Sequence, residues 1–178
     1  MADLRLVWTD LEMTGLDDVR DVIIEIGIII TGHDLKPLAE YERVIWQPDS
    51  ALALMDPFVR EMHARSGLTD RVRASKHALR DIEKDVVALL AAQGIKPGEG
   101  VLAGNSIHAD RRFLARYMPA FERALHYRQV DVSSIKVLAQ AWYPAVPKFD
   151  KPGKTHTALD DIRGSLAELA YYRDHVMK

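Results

Sequence analysis

The segment LRLVWTDLEMTGLD, residues 4–17, joins an alternating apolar pattern to two acidic residues. The apolar residues at positions 4, 6 and 8 share one face of a predicted strand, and Asp10 and Glu12 continue that face. Side chains two residues apart lie about 6.6 Å from each other, and like charges about 4 Å apart repel by roughly 4 kcal/mol at an effective dielectric of 20. Solvation at a strand end, protonation of one carboxylate or a bound cation would each stabilise the pair. The segment alone leaves these three explanations open.

Length and composition indicate one ordinary globular domain over residues 1–178. Hydrophobic residues make up 48% of the 178 residues and charged residues 28%. The formal net charge of −2 argues against a protein that holds long nucleic acid non-specifically, because such binding needs a broad basic surface. A small substrate with a few phosphates remains compatible with this charge.

Sequence features also bear on location and partners. The chain contains no cysteine, so it has neither a disulfide framework nor a cysteine-based zinc site. The N-terminal residues MADLRLVW do not form a secretory signal, and we therefore expect a cytoplasmic protein. The apolar run VIIEIGIII is short and contains Glu25, which predicts a buried strand and no membrane partner.

The order of predicted elements indicates a mixed α/β fold. Three strands come first, at Leu4–Glu12, Val22–Thr31 and Ala39–Gln47, and their short connections predict an antiparallel meander. Two further strands, VLAGN and YRQVDVS, alternate with helical segments, and a last helix is expected from Thr157. Together these elements predict a five-stranded mixed sheet flanked by helices.

Further acidic and titratable residues stand near helix starts. Asp110 lies near the start of a predicted helix, where an aspartate also suits the helix dipole. His156 lies in the loop before the last helix, and Asp160 and Asp161 lie in its first turn. Asp160 fits a capping position, whereas Asp161 is harder to explain by capping alone.

These residues suggest a shared metal site. Four carboxylates on separate elements can bind two hard divalent cations, Mg²⁺ or Mn²⁺, and such a pair can activate water for hydrolysis of a phosphodiester. A nearby histidine can take the proton of that water. Glu25, within its apolar strand, is expected to support the site by hydrogen bonding and not to bind metal directly.

Four segments carry a resemblance that extends along nearly the whole chain, in order. They are TDLEMTGLD, GNSIHADRRFL, HYRQVDVSSIKVLA and HTALDDIRGSLAELAYYR. Together they resemble the oligoribonuclease family, a branch of the DEDDh 3′→5′ exonucleases. The resemblance implies a ribonuclease H-like fold, a homodimer, two metal ions and release of 5′-mononucleotides from very short RNA, down to dinucleotides. It assigns Asp10, Glu12, Asp110 and Asp161 to the metals and His156 to the general base.

The same resemblance implies a set of substrate contacts. Leu16 matches a residue that wedges between bases, and His63 matches a base-stacking residue. The pocket that caps a 5′-phosphate is matched by Ser106, Arg128 and Ser133. Tyr127 matches a residue that reaches the partner subunit's active site. Two explanations unrelated to substrate binding also remain open, namely that Leu16 makes an ordinary loop contact and that Arg128 is a surface charge.

One position departs from the family's pattern. The family often has Trp where this chain has Phe58, so we expect retained but weaker base stacking.

Two other functional hypotheses remain open from the sequence. Another DEDDh exonuclease, for DNA proofreading or tRNA trimming, would act on longer substrates and would benefit from a basic track. A binding module that has lost catalysis is disfavoured by the intact acidic set together with His156.

Overall fold

The computed structural model describes residues 4–150 and 157–177, and in this part of the chain the strands form one five-stranded sheet. Its strands are β1 (Leu6–Met13), β2 (Ile23–Thr31), β3 (Pro37–Val44), β4 (Gly100–Gly104) and β5 (Leu125–Asp131). The order is β3-β2-β1-β4-β5; β1 pairs antiparallel with β2 and parallel with β4. The predicted mixed α/β sheet, with a meander followed by parallel strands, is confirmed.

Helices cover both faces of the sheet. In the described residues they are α1 (Asp49–Leu52), α2 (Pro57–Arg65), α3 (Leu68–Ala74), α4 (Leu79–Ala92), α5 (His108–Tyr117), α6 (Pro119–Ala124), α7 (Val132–Trp142) and α8 (Ala158–His175). The sequence did not predict α1, α3 or α6, because each has only four to seven residues and too few turns to show a helical period. None of the described helices is long and apolar enough to cross a bilayer.

The central strands are buried on both faces, which explains why β2 reads as a nearly continuous apolar run. Val7 and Leu11 of β1 pack in the cluster that includes α4, α5 and α6, whereas Leu6 and Trp8 pack against α7 and α8. The even-numbered face of β1 therefore points toward α8, and Asp10 and Glu12 follow on that face.

Helix α8 approaches the sheet closely at its first turn. A Cβ atom added at Gly27 of β2 would lie 2.8 Å from the Cβ of Ala158 and 3.0 Å from that residue's carbonyl carbon. Gly27 is the cross-strand partner of Asp10. The absence of a side chain at position 27 thus lets α8 begin directly beside the acidic end of β1.

Candidate active site

The structure brings three of the predicted carboxylates together. Asp10 and Glu12 come from β1, and Asp161 comes from the first turn of α8. One carboxylate oxygen of each residue lies within 4.8 Å of the other two. Three hard oxygen ligands at this separation suit a divalent cation, so the donor set fits the expected metal.

Asp160, the neighbour of Asp161, serves the helix start instead. The Thr157 hydroxyl accepts a hydrogen bond from the Asp160 backbone N–H at 3.3 Å and donates one to its carboxylate at 3.0 Å. Arg163 donates a further hydrogen bond, at 2.9 Å, to the same carboxylate. This capping arrangement directs Asp160 away from the three-carboxylate group and leaves Asp161 as the member of α8 that faces β1.

Asp110, the fourth predicted carboxylate, lies in the first turn of α5 and is buried. Its Oδ1 accepts a hydrogen bond of 3.0 Å from the backbone N–H of Leu11, the residue between Asp10 and Glu12. Asp110 therefore lies against β1, although it is outside the group whose oxygens converge within 4.8 Å.

The cluster is electrostatically unfavourable without a cation. Burial, together with the charges of Glu25, Asp161 and Asp110, raises the pKa of Glu12 to about 7. Burial also raises the pKa of Asp110 to about 7, although the Leu11 hydrogen bond opposes the rise. Such a site binds protons near neutral pH, and a divalent cation would displace them because it requires ionised ligands.

Glu25 lies beside Glu12 as its cross-strand partner, and its side chain is fully buried. Arg71 of α3 donates a hydrogen bond of 2.7 Å to Glu25 Oε1. Burial raises the pKa of Glu25, while the positive charge of Arg71 lowers the pKa values of both Glu25 and Glu12. The expected supporting role of Glu25 fits this geometry. Arg71 was not anticipated from the sequence, because it lies on a short helix that was not predicted.

His63 has a different environment from the one that the resemblance implies. It is only 2% exposed, and its Nε2 donates a hydrogen bond of 2.9 Å to the carbonyl of Met13. Its Nδ1 lies 4.0 Å from Glu12 Oε2, and burial lowers the pKa of the ring. With its ring covered, His63 supports the strand beside Glu12 in this structure and offers no open face for base stacking.

Leu16 lies on an ordered loop between β1 and β2 and is 69% exposed. The buried Asp21 carboxylate accepts a hydrogen bond of 3.0 Å from the Asp17 backbone N–H, within this loop. Arg112 of α5 donates a hydrogen bond of 3.4 Å to the Leu16 carbonyl. An exposed apolar side chain is thus held on a fixed backbone that contacts Arg112, two residues after Asp110 on α5.

Phe58, on α2, is the other exposed apolar residue among the predicted base contacts, and it is 76% exposed. His156, the predicted general base, lies outside the described residues.

Two of the three residues that are predicted to cap a 5′-phosphate lie in contact. The hydroxyl oxygens of Ser106 and Ser133 lie 3.3 Å apart. The guanidinium of Arg128 lies 4.7 Å from the ring centroid of Tyr127, which is 71% exposed. The structure therefore brings the two serines together and places Arg128 on the neighbouring tyrosine. Asn105 hydrogen-bonds to Ser133 and to Glu168 of α8, and neither Asn105 nor Glu168 was identified from the sequence. The available signal was the recurrence of polar residues along one face of α8, at Asp161, Ser165, Glu168 and Tyr172.

The fold and the acidic site define the class of the protein. A family model described as "Exonuclease" matches residues 7–169. The structure resembles that of exonuclease I from Methylocaldum szegediense, with a TM-score of 0.71 and 17% identity, covering 98% of this chain and 41% of that one. A second exonuclease I structure, from a study of how that enzyme achieves processivity, is also similar. Its TM-score is 0.76 at 11% identity, and the match covers 98% of this chain and 42% of that one. The chain is thus an exonuclease with a ribonuclease H-like fold, and it spans about two-fifths of these longer proteins.

The particular family follows from closer relatives. Oligoribonuclease of Pseudomonas paraeruginosa is 50% identical over 175 residues, which cover 98% of this chain and 97% of that protein. Oligoribonuclease of Sodalis glossinidius is 51% identical over 179 residues, covering 99% of this chain and 97% of that protein. The chain belongs to the oligoribonuclease family.

Proposed function

We propose that this protein is a 3′→5′ exoribonuclease that hydrolyses short oligoribonucleotides, especially dinucleotides, to 5′-mononucleotides. The observation that carries the proposal is the convergence of Asp10, Glu12 and Asp161 in a chain of the oligoribonuclease family. One exonuclease domain over residues 1–178 performs the reaction. The cation is Mg²⁺ or Mn²⁺, because all the ligands are carboxylates.

The catalytic residues have distinct tasks. Asp10, Glu12, Asp110 and Asp161 hold two divalent cations, which when bound supply Lewis-acid stabilisation of the charge that develops on the phosphodiester. His156 takes the proton of the attacking water as general base. Glu25 lies beside Glu12 on β2, and Arg71 of α3 supplies the positive charge that offsets the buried Glu25 carboxylate.

Contacts to the bases and to the 5′-phosphate of a dinucleotide together restrict the length of the substrate. Leu16 wedges between bases, and Phe58 stacks on a base. Both side chains are exposed, as these roles require. Ser106, Ser133 and Arg128 cap a 5′-phosphate, so that a longer chain cannot continue past them. His63 would stack on a base only after its ring is uncovered, and in the present arrangement it acts through Met13.

The quaternary state and location complete the proposal. The protein acts as a cytoplasmic homodimer in which Tyr127 reaches the partner's active site; its 71% exposure supports such a contact. A net charge of −2 argues against a stable complex with long nucleic acid. Size-exclusion chromatography with light scattering tests the dimer, and a monomer at micromolar concentration would contradict it.

The decisive experiment uses 5′-labelled RNA of two to seven nucleotides, with Mg²⁺ or Mn²⁺, beside a matched DNA series. We expect rapid conversion of the dinucleotide to mononucleotides, lost with chelator and in Asp161→Asn. Asp160→Asn is the matched control, because this neighbour serves the helix cap and should retain activity. Efficient degradation of long chains with a stall at dinucleotides would favour the alternative, an exonuclease of longer substrates.

A further inference from the structure

A chain of polar contacts lies behind the serine pair. Asn105, which follows β4, donates from Nδ2 to Ser165 Oγ at 2.7 Å and to Glu168 Oε2 at 3.3 Å. Its Oδ1 accepts a hydrogen bond of 3.0 Å from Ser133 Oγ. Asn105 therefore connects α8, the helix that carries Asp161, to the first turn of α7, where Ser133 lies.

The orientation of the Asn105 amide is fixed by its partners on α8. Glu168 is 1% exposed, and its carboxylate only accepts hydrogen bonds; Lys136 Nζ lies 3.1 Å from Oε1, and the Tyr172 hydroxyl donates at 3.2 Å. The pKa of Tyr172, raised to about 12 by burial and by the charge of Glu168, keeps that hydroxyl protonated. The Ser165 hydroxyl donates its hydrogen to the Asp161 carbonyl, at 2.9 Å, and therefore accepts a hydrogen bond from Asn105. The NH₂ group thus faces α8, and the oxygen faces Ser133.

The fixed amide decides which serine can donate outward. Ser133 has one hydroxyl hydrogen and gives it to Asn105 Oδ1, so its lone pairs accept from the Ser106 backbone N–H at 3.1 Å. In the 3.3 Å contact between the hydroxyls, Ser106 is consequently the donor. Ser106 can turn its hydrogen toward an incoming oxygen, whereas Ser133 could do so only by leaving Asn105.

The backbone of Ser106 depends on the same contacts. Its φ of 52° lies in the left-handed region, which is unfavourable for a serine. The Ser106 N–H is held by Ser133 and also by Asp131 Oδ1, at 3.0 Å. A strained conformation that is held by several hydrogen bonds is typical of a preorganised binding residue.

We infer that Asn105, oriented by Glu168 and Ser165, is a positioning residue that makes Ser106 the hydrogen-bond donor to a 5′-terminal phosphate. The inference rests on the proposed function, in which the serine pair caps that phosphate. Because the contacts run to the helix of Asp161, they also fix the cap relative to the carboxylates, and with it the length of substrate that fits between them.

The test compares a dinucleotide with a 5′-phosphate and the same dinucleotide with a 5′-hydroxyl, as the ratio of their kcat/KM values. A general loss of structure lowers both values and leaves the ratio unchanged. Ser106→Gly removes the hydroxyl and tolerates the left-handed backbone, and we expect the ratio to fall about tenfold, the effect of one hydrogen bond to a charged group.

Asn105→Asp tests the orienting step. Glu168 and the Ser165 lone pairs would repel the new carboxylate from its place beside Ser133. We therefore expect Ser133 to lose its anchor and the ratio to fall about tenfold. In the double variant Asn105→Asp/Glu168→Gln, the amide and the carboxylate exchange places, and we expect the ratio to return to within about threefold of the original protein. Glu168→Gln alone should also lower the ratio, because the single amide oxygen cannot accept from Asn105 and from Lys136 at the same time.

The outcomes separate the two proposals. If Ser106→Gly lowers the ratio but Asn105→Asp lowers both kcat/KM values equally, the positioning role of Asn105 is wrong while the phosphate cap stands. If the original protein shows no preference for the 5′-phosphate, the cap itself is wrong, and the role of Asn105 with it.

Discussion

Gly27→Ala is the substitution that most directly tests how the fold assembles the acidic site. The added Cβ would lie 2.8 Å from the Ala158 Cβ, 3.0 Å from its carbonyl carbon and 3.1 Å from the Leu159 nitrogen. Carbon atoms in contact are normally about 3.5–4.0 Å apart, so the start of α8 must move by about 1 Å. Asp161 lies one turn farther along this helix and must move with it.

A displacement of this size has a large effect on catalysis and a smaller one on stability. Misplacing a catalytic group by about 1 Å can reduce the rate by about 100-fold, and overpacking costs about 1–3 kcal/mol of the free energy of unfolding. We therefore expect kcat for a dinucleotide to fall about 100-fold, with weaker metal affinity, while the protein remains folded at 25 °C. Steady-state kinetics over a Mn²⁺ titration and urea denaturation measure the two effects.

Gly100→Ala is the matched control. Its Cβ would meet Val7 Cγ2 at 3.0 Å and Ile95 Cγ2 at 3.1 Å, which are side-chain ends in the core near the other end of β1. This variant should lose stability without the kinetic defect. Adding Ala158→Gly to Gly27→Ala removes the nearest contact and should recover part of the activity. Wild-type kcat in Gly27→Ala would refute the view that this close approach positions Asp161.

Two further predictions concern the charges of the site. The folded-state pKa of Glu12, about 7, lies above its ordinary value of 4.5, so the folded protein binds the proton more tightly and the free energy of unfolding falls as pH rises from 4.5 to 7. In chelator, Glu12→Gln should be more stable than the original protein by up to about 3 kcal/mol at pH 8 and no more stable near pH 4, as measured by urea denaturation; parallel pH profiles would contradict this. Arg71→Met leaves the buried Glu25 carboxylate without its 2.7 Å partner and should cost about 2 kcal/mol at pH 8, largely recovered by adding Glu25→Gln. Arg65→Met, in an exposed pair with Glu61, is the control, and an equal cost in both variants would argue against a special role for Arg71.

The sequence by itself determined the features that depend on local pattern. Period-two alternation predicted β1 and the shared face of Asp10 and Glu12, and the apolar run predicted β2 as buried. The predicted start of the last helix at Thr157 is confirmed, because this residue caps α8 and capping is decided within four residues. The order of the four motif segments was sufficient for the family.

Tertiary structure decided the features that depend on contacts between distant segments. Spacing alone did not distinguish Asp161 from Asp160; the approach of α8 to Gly27 and the capping bonds did. Burial of His63 against Met13 follows from how α2 packs on β1, across 50 residues of sequence. The partner of Glu25 and the orientation of Asn105 likewise come from residues 46 and 60 positions away. Local patterns report which face a side chain occupies, whereas its hydrogen-bond partner and its burial are set only when separate elements pack together.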